Sequence, residues 1–125
     1  MRITVPGDKS LTQRALILAS IASGTSSLRG LLFGGDAEST ANALRAMGVN
    51  IPPIPHDGGA IEVEGVGLDG LATPDAPLDL GNSGTGTRLL LGLLAGAGVG
   101  ATLTGDTSLQ SRPMKRVTAP LCAMG

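Results

Sequence analysis

Residues 9–24, KSLTQRALILASIASG, and residues 83–98, SGTGTRLLLGLLAGAG, share one pattern. Each has a polar start, an arginine, an apolar run, and a close in small residues and glycine. The likeness continues outward. SSLRG at 26–30 is matched by ATLTG at 101–105, a short strand closing on glycine. A Gly-Asp pair follows in both places, Gly35-Asp36 and Gly105-Asp106, and then a helix ending in Ala-Met-Gly. Four matches in one order predict a duplicated unit.

The first unit, about residues 1–66, is predicted to run β-α-β-α-β-β. Arg2 to Val5 reads as a strand with Ile3 and Val5 on one face. Ser10 fits an N-cap, with Gln13 completing a capping box. Leu11, Ala15, Leu18 and Ala22 mark an apolar helical stripe, and Gly24 suits the left-handed position that ends the helix. A strand at Ser26 to Arg29 follows. Asp36 caps a second helix through Leu44 and Met47, which stops at Gly48. Val49 to Ile51 reads as a strand ended by Pro52, Pro53 and Pro55, and Ile61 and Val63 alternate in the last strand.

The second unit, about 78–125, begins at Leu78-Asp79-Leu80. It continues through a helix near Thr85 to Ala97, a strand at Ala101 to Thr104, and a helix from Pro113 to Ala123. Pro113 suits the first helical position. After Met47-Gly48 the first unit enters a strand; after Met124-Gly125 there is no more sequence. The chain thus reads as about one and two-thirds units of something longer, and alone it is expected to leave apolar faces and strand edges open.

Composition narrows the function classes. Of the 125 residues 15% are charged and 1% aromatic, with a formal net charge of −1. The core must be Leu, Ile, Val, Ala and Met. No basic field serves nucleic acid or a membrane surface, and no aromatic platforms stack bases. Cys122 is a lone cysteine, so no internal disulfide forms, and no His/Cys cluster points to a metal. MRITVPGDKS lacks the apolar core of a signal peptide. The uncharged run 89–105 approaches membrane-span length, but its glycines divide it into a buried helix and a strand. The expectation is a cytoplasmic α/β protein.

Three stretches carry chemistry. In PGDKSLTQR, residues 6–14, Ser10 and Arg14 are four apart and share a helix face. Lys9 stands beside the unpaired N–H groups and the positive end of the dipole. Either a phosphate sits there, or Ser10 caps and both cations are solvated. A Walker A loop is excluded, because Asp8 precedes Lys9 and Thr4 holds the earlier glycine place.

LDLGNSGTGTR, 78–88, is again strand, glycine-rich turn and helix start, without the dinucleotide spacing. Gly81, Gly84 and Gly86 admit close approach to the backbone, and Ser83 and Thr85 offer hydroxyls; a tight turn with a capped helix explains it equally. In GDTSLQSRPM, 105–114, the second unit is lengthened and gains Arg112. That residue is either suited to a carboxylate or phosphate or is a surface arginine. His56 reads as exposed, Cys122 as a small core residue, and Asp36 and Asp106 as N-caps. No carboxylate pair stands out as acid and base.

Together and in this order, the three stretches resemble the 5-enolpyruvylshikimate-3-phosphate synthase family, over essentially the whole chain. PGDKSLTQR is similar to P-G-[SD]-K-S-x-[ST]-x-R, LGNSGTGTR to L-G-N-[AS]-G-T-x-x-R, and GDTSLQSRPM to G-[DE]-x-S-L-x-x-R-P-M. The resemblance implies two domains, each of three such units, with the active site in the cleft between them. It implies a monomer that moves the enolpyruvyl group of phosphoenolpyruvate onto the 5-hydroxyl of shikimate 3-phosphate, with no cofactor and no metal.

By position it implies that Lys9, Ser10 and Arg14 hold shikimate 3-phosphate, and that Lys9, Gly84 and Arg112 hold phosphoenolpyruvate. Asn82, Thr85 and Arg88 would support them. The family's acid/base groups fall past Gly125, so no catalytic residue is expected in this span. Gln13 departs from a common His, and Ser83 and Gly86 from commoner alanines. Gly84 in place of Ala leans towards sensitivity to glyphosate. Two alternatives remain: a non-catalytic anion-binding fragment, and a UDP-N-acetylglucosamine enolpyruvyl transferase. The latter family's loop cysteine and early Lys-Asn pair are missing here.

Overall fold

Asp8, not Ser10, starts the first helix. In the computed structural model, which describes Met1 and residues 3–125, Asp8 is extended and its Oδ1 accepts the Leu11 N–H at 2.7 Å. Helix α1 then runs Lys9–Ile21. Aspartate competes well with serine for this role, so Ser10 falls inside the first turn and Gln13 completes no capping box.

The buried face of α1 is also not the predicted stripe. Leu16, Ile17 and Ala19 are buried together with Thr12, Gln13 and Ser20, while Leu11 and Leu18 are 66% and 63% exposed. Polar residues can turn inward because they find partners nearby. Thr12 Oγ1 donates to Asp8 O and accepts from Leu32 N–H, and Ser20 Oγ donates to Leu16 O. A burial pattern read from apolar residues alone cannot register such hydroxyls.

The chain passes directly from the extended Ala22 into β1, Ser23–Leu28. Gly24 has φ +87°, but as the second residue of that strand rather than as the helix stop. Helix α2, Gly35–Ala46, starts from Gly34 with no side-chain cap; Asp36 is its second residue. It ends through Met47 into Gly48, as predicted.

Strand β2, Ile61–Val66, pairs antiparallel with β1, Leu28 facing Ile61 and Ser23 facing Val66. Ile61 and Val63 point into the core and Glu62 and Glu64 outward. Between α2 and β2 the predicted strand at 49–51 shrinks to one bridge, Asn50 to Glu64. Arg45 explains this: its guanidinium takes the carbonyls of Ile51 and Pro52 at 2.8 and 3.0 Å, the acceptors a partner strand would use. The predicted first strand is not seen in its described part either. Arg2 lies outside the described residues, and among the described residues no strand forms at 3–5, Ile3 and Val5 being 72% and 76% exposed.

The second unit keeps its order. Strand β3, Leu78–Asp79, lies parallel to β4, Leu103–Thr104, joined by α3, Gly84–Ala97. Helix α3 closes on left-handed Gly98. A short helix α4, Thr107–Gln110, fills the lengthened segment and was not foreseen; Asp106 caps it. Helix α5, Lys115–Met124, begins at Met114, so Pro113 precedes the cap, and Pro120 lies inside it. None of its residues is buried, and Cys122 is exposed rather than core.

Leu16, Leu44, Met47, Val63, Leu80 and Leu90 are fully buried between α1, α2, α3 and the strands. This is the aromatic-free aliphatic core that composition required. Among the described residues no helix is long and apolar enough to cross a membrane.

Candidate functional site

The starts of α1, α2 and α3 are tied together by one side chain. Gln13, in the second turn of α1, is fully buried, and its Nε2 faces three oxygens. It lies 2.7 Å from Ser83 Oγ, 3.0 Å from Thr40 Oγ1 and 3.2 Å from Asp36 O. Ser83 is the N-cap of α3, its Oγ also accepting the Gly86 N–H at 3.0 Å. Thr40 and Asp36 belong to α2. Gln13 Oε1, by contrast, has no partner among the described residues, a condition that costs about 1–3 kcal/mol in a buried amide.

At the α1 start, Lys9 Nζ pairs with Asp36 Oδ2 at 3.0 Å. Its side chain remains 57% exposed, so the ammonium stays open to a second anion. Arg14 Nη1 donates to Ser10 Oγ, as the four-residue spacing predicted. Lys9, Ser10 and Arg14 thus share the first turns of one helix, where the dipole adds to their attraction for an anion.

At the α3 start, Asp79 Oδ1 accepts the Gly81 N–H at 2.8 Å, and Gly81 takes φ +55°. This turn delivers Asn82 and Gly84 to the helix mouth. Arg88 Nη1 donates to Gly84 O at 3.1 Å and its Nη2 to Pro113 O at 3.2 Å. Arg112 reaches the same turn from the lengthened loop, donating to Asn82 Oδ1 at 2.7 Å and to Asn82 O at 3.3 Å. Asn82 Nδ2 in turn donates to Asp106 Oδ2 at 2.9 Å. Thr85 is half-buried in the first turn of α3.

Asp106 is held below the ordinary aspartate range. The Leu109 N–H contributes most, then the Asn82 amide; partial desolvation opposes them, and Arg112 adds a smaller attraction. It stays a carboxylate that anchors the Arg112 loop and is no proton donor near neutral pH.

The predicted site residues therefore gather as two groups: Lys9, Ser10 and Arg14 at α1, and Asn82, Gly84, Thr85, Arg88 and Arg112 at α3. Lys9 lines a hollow with Leu32 and residues 34–37, whereas Arg112 lines another with Thr87, Leu109 and Met114. What connects the groups is Gln13 to Ser83. Sequence reasoning missed Asp8 as cap, the Lys9–Asp36 pair and the Gln13 link. Only the first had a signal, an aspartate three residues before Leu11. His56 is exposed as expected, and its ring stacks on Phe33 at 3.6 Å. Among the described residues no cluster could hold a metal.

Comparison with known proteins agrees over the whole length. The family model for EPSP synthase (3-phosphoshikimate 1-carboxyvinyltransferase) matches residues 1–125. A 3-phosphoshikimate 1-carboxyvinyltransferase of Alkalilimnicola ehrlichii is 56% identical over 124 residues, covering 99% of this chain and 27% of the relative. One from a Synechococcus species is 57% identical over 125 residues, covering 99% and 28%. The solved EPSP synthase from Acinetobacter baumannii superimposes with a TM-score of 0.86 at 44% identity, over 98% of this chain and 28% of that one. The chain spans a little over a quarter of the length of the relatives it matches.

Proposed function

The chain belongs to the EPSP synthase (3-phosphoshikimate 1-carboxyvinyltransferase) family, and from that premise we propose that it supplies the substrate-gripping N-terminal part of such an enzyme. Its action is on small molecules in the cytoplasm, with no nucleic-acid or membrane partner, in a monomeric parent. The observation that carries the proposal is the pair of cation-bearing helix starts, α1 and α3, joined through Gln13 and Ser83 at 2.7 Å.

In this reading Lys9, Ser10 and Arg14 hold shikimate 3-phosphate, while Gly84 and Arg112, with Lys9, hold phosphoenolpyruvate. Asn82 orients Arg112, and Arg88 braces the Gly84 turn against Pro113 O. The 5-hydroxyl adds across the double bond of phosphoenolpyruvate: its oxygen bonds to C2 and gives up its proton to a base, the C3 methylene takes up a proton to become a methyl, and a tetrahedral intermediate forms. Loss of phosphate and of a methyl proton then re-forms the double bond and gives the enol ether product. The residues here contribute charge and position to that sequence: two polyanions, each with a phosphate and a carboxylate, repel when brought side by side, and fixed countercharge offsets the repulsion. Sensitivity to glyphosate through Gly84 is part of the same proposal.

A second reading concerns the 125 residues alone, as an anion-binding piece without turnover. The carboxylates around the two helix starts favour it, since each is committed: Asp8 caps α1 and Asp79 accepts the Gly81 N–H. Asp36 is paired with Lys9, and Asp106 caps α4 while accepting from Asn82.

The test is a chimera in which this chain replaces the matched stretch of the Alkalilimnicola ehrlichii relative. Supplied with both substrates, the chimera should release phosphate, and the 125 residues alone should bind but release none. A folded chimera without turnover overturns the transferase reading; turnover by the 125 residues alone overturns the second.

A further inference from the structure

Gln13 poses a physical question that packing does not answer. A buried amide with one unpaired oxygen is a poorer core residue than an apolar side chain of the same length. Its two N–H bonds are shared among three oxygens that already have other partners. Thr40 Oγ1 donates to Asp36 O at 3.0 Å, and Ser83 Oγ accepts the Gly86 N–H. What the amide adds is a crosslink. It fixes α1, at one point, to both α2 and α3.

The position of that point is informative. Gln13 precedes Arg14 and follows Ser10 by three residues, so the rotation of α1 that seats Gln13 also aims both side chains. On the other side, Ser83 immediately precedes Gly84 and begins the helix that carries Arg88. We propose that Gln13 is a positioning residue for enolpyruvyl transfer, setting the spacing between the Lys9–Ser10–Arg14 group and the Gly84–Arg88–Arg112 group. This rests on the function proposed above. With no exposed surface, Gln13 acts through the helices and not by touching a substrate.

Two roles separate experimentally. A residue that only stabilises the fold changes the melting temperature and leaves KM in place; one that sets spacing changes KM and kcat at a nearly unchanged melting temperature. Gln13→Met keeps the length, removes the crosslink and also removes the orphaned oxygen. In the active chimera it should melt within a few degrees of the parent, with kcat/KM lowered about 100-fold, the scale of a 1 Å misplacement. KM should rise for both substrates. Gln13→His returns one ring N–H to the site and should recover at least about tenfold of the loss.

Unchanged kcat/KM in folded Gln13→Met overturns the proposal, as does a His variant no better than Met. If the Met variant does not fold, Ser83→Ala cuts the same link from the α3 side. It must then show the raised KM values, and normal KM values there overturn the proposal equally. The unsubstituted chimera is the control: no turnover in it defeats the functional reading instead, so the two failures are distinct.

Discussion

A Cβ on residue 84 would stand 2.8 Å from Arg112 Nη1, closer than such atoms approach, and 2.9 Å from Arg88 Nη1. Gly84 is thus where two arginines close over the first turn of α3. Both neighbours are tips of long side chains, so Gly84→Ala should move them without disturbing the fold. We expect stability within about 1 kcal/mol of the parent and an affinity for phosphoenolpyruvate about tenfold lower, about 1.4 kcal/mol. Shikimate 3-phosphate, which the proposed function places at α1, should lose less. Separate binding titrations check this; equal losses for the two would contradict the division of the site.

Gly86, two residues on, predicts the opposite balance. A Cβ there would lie 2.7 Å from Ser83 Oγ and 2.9 Å from both Gln13 Nε2 and Thr40 Oγ1. These atoms are buried and mutually hydrogen-bonded, so none can swing aside. Gly86→Ala should therefore cost about 1–3 kcal/mol of stability by overpacking, read from urea unfolding. An unaltered midpoint would mean that the cluster is looser than its distances imply.

The contrast between these glycines shows what the sequence could and could not disclose. The spacing of Gly84 and Gly86 pointed to close approach, but not to which approach was to arginine and which to a buried amide. Arg14 above Ser10, the α3 limits and the alternation of β2 follow from local periodicity, and they were legible. The Gln13 link spans 70 residues to Ser83, and only tertiary packing creates it. The cap falls on Asp8 instead of Ser10 because serine and aspartate have similar N-cap preferences, and only two residues separate the competing choices. The expected edge strands failed for a different reason: a strand exists only with a partner, and sequence pattern alone does not supply one. Exposed Cys122 fits the same point, since α5 meets α3 without any α5 residue becoming buried.

Arg45 gives a prediction independent of function. It donates to Ile51 O and Pro52 O, to Asn42 Oδ1 at 2.7 Å, and pairs with Glu38 at 3.3 Å. Arg45→Met keeps much of the apolar stem but leaves the two loop carbonyls without that donor. Charged hydrogen bonds of this kind contribute about 1.5–3 kcal/mol when well enclosed; half-exposed, the set should contribute about 1–2 kcal/mol. Thermal unfolding checks the size. Faster amide exchange at Asn50, with exchange at the α3 start unchanged, would place the loss in this loop.

Asp106 predicts how stability responds to acid. Its folded value is depressed, chiefly by the Leu109 N–H, so the folded state prefers the charged form. The resulting stabilisation is complete above the ordinary aspartate value of 3.8 and is lost as pH falls through the lower folded value. Asp106→Asn retains a capping oxygen but cannot titrate. The native protein should be the more stable at pH 7, and the gap between the two should narrow once pH passes below about 4. Arg112 should respond with it, because protonated Asp106 holds Asn82 less firmly and Asn82 holds Arg112. Melting curves of both proteins across the acid range measure this, and a gap that stays constant down to the folded value would show that Asp106 does not set it.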